Sequence, residues 1–126
     1  MLSWNDPPIG TVTFALIVDD PDAPVAGGWT HWVLFDLPND LRGLFQNLPN
    51  TQFAYGGTFG NNSWDQYGYR GPCPPRGDRP HTYRFTLYAV DRRLGLAAYS
   101  TRAQVLSALQ GRTLGQALLT GTYQRP

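Results

Sequence analysis

The sequence contains neither lysine nor glutamate, because all ten basic residues are arginine and all nine acidic residues are aspartate. The chain therefore has no lysine to form a Schiff base or to contact a phosphate in a P-loop, and no glutamate to act as a general base. A net charge of +1 predicts no general attraction to nucleic acid. We accordingly predict a protein without a nucleic-acid partner.

Cysteine and long apolar runs are also scarce. The single cysteine, Cys73, excludes an intrachain disulfide and a multi-cysteine zinc site. The apolar runs are too short to span a bilayer, so we predict no stable membrane insertion. Because no signal-peptide pattern is visible, we predict a cytoplasmic location. The length of 126 residues predicts a single domain covering residues 1–126.

Glycine and proline are abundant, with 14 and 11 residues, which favours short strands joined by ordered turns. Apolar residues alternate with small or polar ones in the first predicted strand, which predicts one apolar face there. The alternation is clearest in residues 83–90, the strongest predicted strand. The predicted strands are 11–18, 32–37, a short one within 53–59, 83–90 and 117–123. They predict a mostly β fold with antiparallel pairing.

One helix is predicted over residues 102–110. Thr101 and Gln104 have the spacing of a capping box, and Gly111 supplies the stop. A second short helical turn before Gly121 is an alternative to the last strand. The fold therefore has one or two short peripheral helices.

The two histidines both stand at the start of a predicted strand. His31 lies within GGWTHWVLFDLP, and His81 follows the proline-rich GPCPPRGDRP. Taken singly, each ring is better explained as structural, capping backbone or packing beside a tryptophan. Taken together they predict the walls of one anion pocket, because imidazoles donate hydrogen bonds to phosphate oxygens. Tyr83 projects to the same side of its strand as His81 and can add a hydroxyl.

Aspartates cluster in DDPDAP, which is predicted to be a loop after the first strand. Pro21 and Pro24 restrict the backbone there, so at least one carboxylate among Asp19, Asp20 and Asp22 should have a fixed direction. The plain alternative is a solvated turn in which aspartate acts only as a turn former. The nearby His31 favours the functional interpretation.

Cys73 is a candidate nucleophile only at first sight. Pro72 and Pro74 flank it and remove the neighbouring N–H groups that an oxyanion hole would use. We therefore predict a residue that lines the loop. The preceding residues 61–63, Asn-Asn-Ser, are predicted to be turn formers.

The same residues allow a second interpretation. Asp20, His31 and His81 could form a two-histidine, one-carboxylate metal site, which would imply a hydrolase or an oxygenase. Their spacing lacks the H-x-D/E pair often seen in such sites, and metal analysis of the purified protein separates the two interpretations. A fold kept for assembly, without a ligand, is a third.

Three ordered motifs resemble the phosphatidylethanolamine-binding protein family, most closely its bacterial and archaeal YbhB/YbcL-like branch. They are DDPDAP, GGWTHWVLFDLP and YGYRGPCPPRGDRPHTYRFTLYAV, and the final ALQGRTLGQALLTGTYQRP is similar as well. The resemblance implies an antiparallel β-sandwich with a small anion cavity that binds phosphate, phosphoethanolamine or another phosphorylated ligand. It implies neither a cofactor nor catalysis. Family members that inhibit kinases or serine proteases extend the expectation to such a partner, and a homodimer is expected by resemblance only.

The resemblance also assigns the ligand-binding residues, motif by motif. They are Asp20, Asp22, Pro24, Trp29 and His31 from the first two motifs, and Cys73, Pro74, Pro75, His81 and Tyr83 from the third. One departure is that members of this branch usually carry a further N-terminal segment before the stretch that matches LSWNDPP. A missing strand there is expected to expose a sheet edge and to favour self-association.

Overall fold

The structure, a computed structural model, describes residues 2–21, 29–44, 53–54, 56–63 and 81–123. Strands and one helix account for most of these residues. In chain order they are β1 (Leu2–Ser3), β2 (Thr13–Asp20), β3 (Trp29–Pro38), β4 (Gly43–Leu44), β5 (Phe53–Ala54), β6 (Gly57–Phe59), β7 (His81–Val90), α1 (Arg102–Leu109) and β8 (Thr113–Tyr123).

The strands form two sheets in the described part of the chain. Six of them pair in the order β5-β6-β3-β2-β7-β8, and every pairing is antiparallel. The other two, β1 and β4, form a small antiparallel sheet of their own. The predicted fold class, mostly β and antiparallel with a short helix, is confirmed.

The central strand β2 is buried along its whole length, on both faces of the sheet. Phe14, Leu16 and Val18 project to one side, which we call the Phe14 face, and pack there with Trp32 from β3. Ala15 and Ile17 project to the other side, called the helix face below. The prediction that this strand has a single apolar face was wrong, because the helix covers the second face.

The small sheet covers the Phe14 face at its outer end. The indole of Trp4, just after β1, stands edge-on to Phe14 with the ring centroids 5.5 Å apart. Its Nε1 donates to the carbonyl of Leu41, at 2.9 Å. An indole buried with its N–H bonded contributes a large apolar surface without an unsatisfied donor.

Helix α1 covers the opposite side by placing Val105 and Leu109 against the helix face. The predicted capping box is present: the Gln104 amide donates to Thr101 Oγ1, and the Thr101 amide donates to Gln104 Oε1. Gly111 follows the helix with a φ of 74°, a conformation that glycine adopts at little cost. Local sequence signals therefore fix both ends of this helix.

Asp36 anchors the end of β3 that lies away from His31. Its φ is 56°, unusual for a residue other than glycine, and its side chain is buried. The two carboxylate oxygens accept hydrogen bonds from the amides of Leu94, at 2.6 Å, and Gly95, at 3.0 Å. The segment after β7 is thereby fixed to β3.

Candidate functional site

A bulge in β3 sets the position of His31. Val18 lies opposite Trp32 and Asp19 lies opposite Thr30, so His31 is an extra residue on the β3 side of the ladder. A bulge bends its strand and redirects the side chain of the added residue. Sequence reasoning placed His31 at a strand start but could not foresee the bulge.

The ring of His31 contacts the ring of Tyr83 edge-on, with centroids 5.2 Å apart and planes at 78°. His31 belongs to β3 and Tyr83 to β7, and β2 runs between those two strands. Strands that flank a third are about 10 Å apart, so the two rings meet only by reaching across β2. Tyr83 alternates with Phe85 and Leu87, which pack on the Phe14 face, and the contact therefore lies over that face.

Asp20 is the last residue of β2, the strand that runs between β3 and β7. It alternates with Phe14, Leu16 and Val18 and therefore projects from the same face. Only 3% of Asp20 is exposed, and His31 and Tyr83 are 4% exposed. Three polar side chains from three adjacent strands are thus buried at one end of the Phe14 face.

Trp29 lies directly opposite Asp20 in the β2–β3 ladder and is half-buried. The next residue of β3, Thr30, exchanges two hydrogen bonds with Ser63, which fixes the start of the strand. The Thr30 amide donates to Ser63 Oγ and the Ser63 amide donates to the Thr30 carbonyl, both at 2.8 Å. Residues 61–63 were predicted to be turn formers, and this paired contact beside His31 was missed.

On the helix face, directly behind Asp20, lies a cluster of charged side chains that sequence reasoning also missed. The Asp19 carboxylate binds the Arg84 guanidinium through two contacts, Nε to Oδ1 at 3.2 Å and Nη2 to Oδ2 at 2.6 Å. Arg102 Nη2, at the start of α1, lies 3.5 Å from Asp19 Oδ2. Burial raises the pKa of the neighbouring Tyr88, an effect that Arg102 partly offsets.

Asp19 and Asp20 were predicted to lie in the loop after the first strand, and that prediction was wrong. Both are paired residues of β2, which extends two residues beyond the predicted end at Val18. Aspartate disfavours strands, but here Arg84 compensates the buried charge of Asp19. The sequence gives no local signal of this partner, because Arg84 stands at a polar position in the regular alternation of its strand.

Four of the predicted ligand residues therefore lie together in the structure. They are Asp20, Trp29, His31 and Tyr83, at one end of the six-stranded sheet. The backbone of His81 is paired with Tyr123, and its side chain lies outside the described part. The remaining predicted residues also lie outside the described residues: Asp22, Pro24, Cys73, Pro74 and Pro75.

The described side chains contain no group of three or more His, Cys, Asp or Glu residues that could hold a metal ion. Because the His81 side chain is not among them, the alternative metal site at Asp20, His31 and His81 stays a hypothesis. In the part of the chain that the structure describes, no helix has the length and apolarity to cross a bilayer.

A two-sheet antiparallel β protein with polar side chains gathered at one end of its central strands belongs to the class of β-sandwich proteins. Within that class, residues 1–124 match the family model described as phosphatidylethanolamine-binding protein. The chain belongs to this family, and the predicted resemblance is confirmed.

Its relatives include bacterial and archaeal proteins. A UPF0098 protein of Methanothermobacter thermautotrophicus is 46% identical over 125 residues, covering 98% of this chain and 81% of the relative. Escherichia coli YbhB is 34% identical over 125 residues, covering 97% and 78%. The crystal structure of E. coli YbcL, described as a new member of the mammalian PEBP family, superposes with a TM-score of 0.85 at 32% identity, covering 98% and 78%. The prediction of the YbhB/YbcL-like branch is therefore confirmed.

Family membership supports a ligand-binding role of the kind that gives the family its name. It does not specify the ligand, nor does it establish where the protein is found. A relative from Mycobacterium tuberculosis, 39% identical over 123 residues and covering 98% of this chain and 58% of the relative, is named as a lipoprotein. The cytoplasmic location, the homodimer and the single-domain extent stay predictions.

Proposed function

We propose that the polar end of the Phe14 face binds a phosphate-containing ligand, either phosphate itself or a phosphoethanolamine-like headgroup. One observation supports this most directly: the buried rings of His31 and Tyr83 meet over the end of β2, where Asp20 projects. An imidazole and a phenol can both donate hydrogen bonds to phosphate oxygens. Burial makes such bonds stronger than the same bonds in water.

Asp20 determines which phosphate species suits this site. A carboxylate repels a bare phosphate dianion, but it accepts a hydrogen bond from a monoprotonated phosphate or from an ammonium group. We therefore favour a zwitterionic ligand, in which the amine faces Asp20 and the phosphate faces the donors. Trp29, opposite Asp20 in the ladder, adds an apolar wall to such a headgroup.

The proposal is tested by NMR titration of the two imidazoles with inorganic phosphate and with phosphoethanolamine. The chain has two histidines, so a His31→Gln variant assigns both signals. We expect both ligands to shift the His31 signals, and His31→Gln to weaken binding by about tenfold or more, as loss of a hydrogen bond to a charged group predicts. Ethanolamine without phosphate is the ligand control.

The role of Asp20 is tested by Asp20→Asn with Asp36→Asn as the matched control, since Asp36 is a buried aspartate at the other end of β3. Asp20→Asn should weaken phosphoethanolamine more than phosphate, whereas Asp36→Asn should change neither affinity. If the histidine signals ignore both ligands, phosphate binding is wrong. If Asp20→Asn leaves phosphoethanolamine binding unchanged, the preference for a zwitterion is wrong.

Other roles stay predictions from the resemblance. Regulation of a kinase or a serine protease has no described residue that favours it. For the metal-dependent alternative, stoichiometric iron or zinc in the purified protein would overturn the binding role in favour of an enzyme.

A further inference from the structure

We infer that the cluster of Asp19, Arg84 and Arg102, called the carboxylate clamp below, positions Asp20 and Tyr83 for ligand binding. The inference rests on the function proposed above and adds residues that contact no ligand themselves. They act from the helix face, on the opposite side of the sheet from the ligand. Their role is therefore that of positioning residues.

The connection follows from strand alternation. Asp19 and Arg84 lie directly opposite each other, and they are the final pair of the β2–β7 ladder in the described residues. The next residue of β2 is Asp20, and the preceding residue of β7 is Tyr83. Because neighbouring residues in a strand project to opposite faces, holding Asp19 against Arg84 holds Asp20 beside Tyr83 on the other face.

The ion pair between Asp19 and Arg84 is of a type that can hold two strand ends together. Both carboxylate oxygens of Asp19 are used by Arg84, and the Asp19 side chain is 4% exposed. A two-point contact between guanidinium and carboxylate fixes orientation as well as distance. Removing Arg84, whose own side chain is 40% exposed, leaves the buried Asp19 carboxylate without its two-point partner.

The clamp also reaches β3 and α1. On the β3 side the register shifts between Val18 and Asp19, at the bulge that carries His31. On the helix side Arg102 approaches the same carboxylate. Three strands and the start of α1 therefore meet at Asp19, and both rings of the His31–Tyr83 contact belong to those strands.

A purely stabilising ion pair would produce a different result from a positioning one. Breaking a stabilising pair lowers the folded fraction but leaves each folded molecule with an intact site. Breaking the clamp should alter the site in molecules that remain folded. Asp36→Asn supplies the comparison, because it removes a buried carboxylate that accepts from the amides of Leu94 and Gly95 and lies 3.9 Å from Arg93 Nε.

The experiment uses the full chain with Arg84→Met, Arg84→Lys and Asp36→Asn. The first readout, without ligand, is the position of the His31 ring-proton signals, which feel the ring current of Tyr83. The second is the affinity for inorganic phosphate and for phosphoethanolamine, expressed per folded molecule. Arg84→Met should shift the His31 signals and weaken both ligands by about tenfold. Arg84→Lys should recover part of this loss, because it keeps the charge without the planar fork.

Asp36→Asn should leave both readouts as in the unsubstituted protein. If Arg84→Met resembles Asp36→Asn in both readouts, the clamp is merely stabilising and the inference is wrong. If Arg84→Met does not fold, Arg102→Gln replaces it, since it removes the 3.5 Å contact with Asp19 and keeps the two-point contact of Arg84. It should then shift the His31 signals in the same direction by a smaller amount, and an unmoved signal would overturn the inference.

The two proposals fail in distinguishable ways. If the unsubstituted protein binds neither ligand, the proposed function is wrong, and the ligand-free His31 signals still decide whether the clamp sets the His31–Tyr83 geometry. If both ligands bind but the clamp variants bind equally well, only the positioning role is wrong.

Discussion

Near each of its ends, β3 carries one more residue than β2 does. Near Pro38 the extra residue lies between Leu34 and Leu37, where Asp36 adopts a positive φ; near Trp29 it is His31. At the first place the carboxylate binds main-chain amides, and the irregularity fastens one segment to another. At the second place His31 and Tyr83, from the two strands that flank β2, contact each other across it.

The comparison shows that the same irregularity, one extra residue in β3, has a different role at each end of the strand. Main-chain amides are present in every sequence, so the two hydrogen bonds of Asp36 need only the right backbone shape, and Arg93 Nε, 3.9 Å from Oδ2, is the side-chain partner shown there. The contacts at the His31 end depend on particular side chains, which gives that end chemical selectivity. We therefore expect the two ends to respond differently to substitution: the first in stability, the second in binding.

The largest effect is expected for Asp36→Ala. This substitution removes the acceptors of two amides and leaves alanine at a positive φ, so the free energy of unfolding should fall by about 3 kcal/mol. Urea unfolding measures it. Asp36→Gly, which tolerates the backbone conformation, should lose less. Ligand affinity per folded molecule should not change. If Asp36→Ala also weakened ligand binding, the proposed difference between the Asp36 end and the His31 end of β3 would be wrong.

A smaller effect is expected where α1 begins. Thr101→Ala removes one half of the capping box and should lower the free energy of unfolding by about 1 kcal/mol. Ser107→Ala, in an exposed position of the same helix, is the control. Because alanine favours helix more than serine does, this substitution should raise the free energy of unfolding by a few tenths of a kcal/mol. If Thr101→Ala moved the His31 signals more than Arg84→Met does, the helix start rather than the ion pair would set the site.

The smallest effect concerns Tyr88, beside the clamp. Burial is the main reason that its pKa is raised, so the folded protein keeps this proton at a pH where the unfolded chain has lost it. The resulting stabilisation is complete below the ordinary tyrosine pKa of about 10 and is lost as the pH rises through the folded-state value. Tyr88→Phe should therefore lose less stability than the unsubstituted protein as the pH rises above about 10. Equal losses in alkaline unfolding curves would contradict this.

Local signals made most elements predictable. The capping residues located α1 within one residue, and alternation located the long strands, because both depend on neighbours in sequence. The end of β2 could not be predicted, since Asp19 is held by Arg84, 65 residues away along the chain. A turn former and a strand residue with a distant partner look identical in sequence.

The candidate site divides in the same way. The resemblance supplied Asp20, Trp29, His31 and Tyr83 by motif, and the structure places them together. It assigned no role to Asp19, although Asp19 is the first residue of DDPDAP, and Arg102 lies outside the motifs used for the resemblance. The bulge at His31 is a property of register, which depends on how two strands align and not on either one alone.

Asp19 and Asp20 are identical neighbours that project to opposite faces of β2, and both are buried. A shift of the strand by one residue would exchange their places. In most half-exposed strands, a slip of one residue would expose apolar side chains to water, and that cost fixes the register. Since β2 is buried on both faces, this penalty is weak here, and a strand slipped by one residue would still present one aspartate on each face. In the aligned strand Arg84 binds the Asp19 carboxylate. The arginine thereby selects which of two chemically identical residues projects from the Phe14 face.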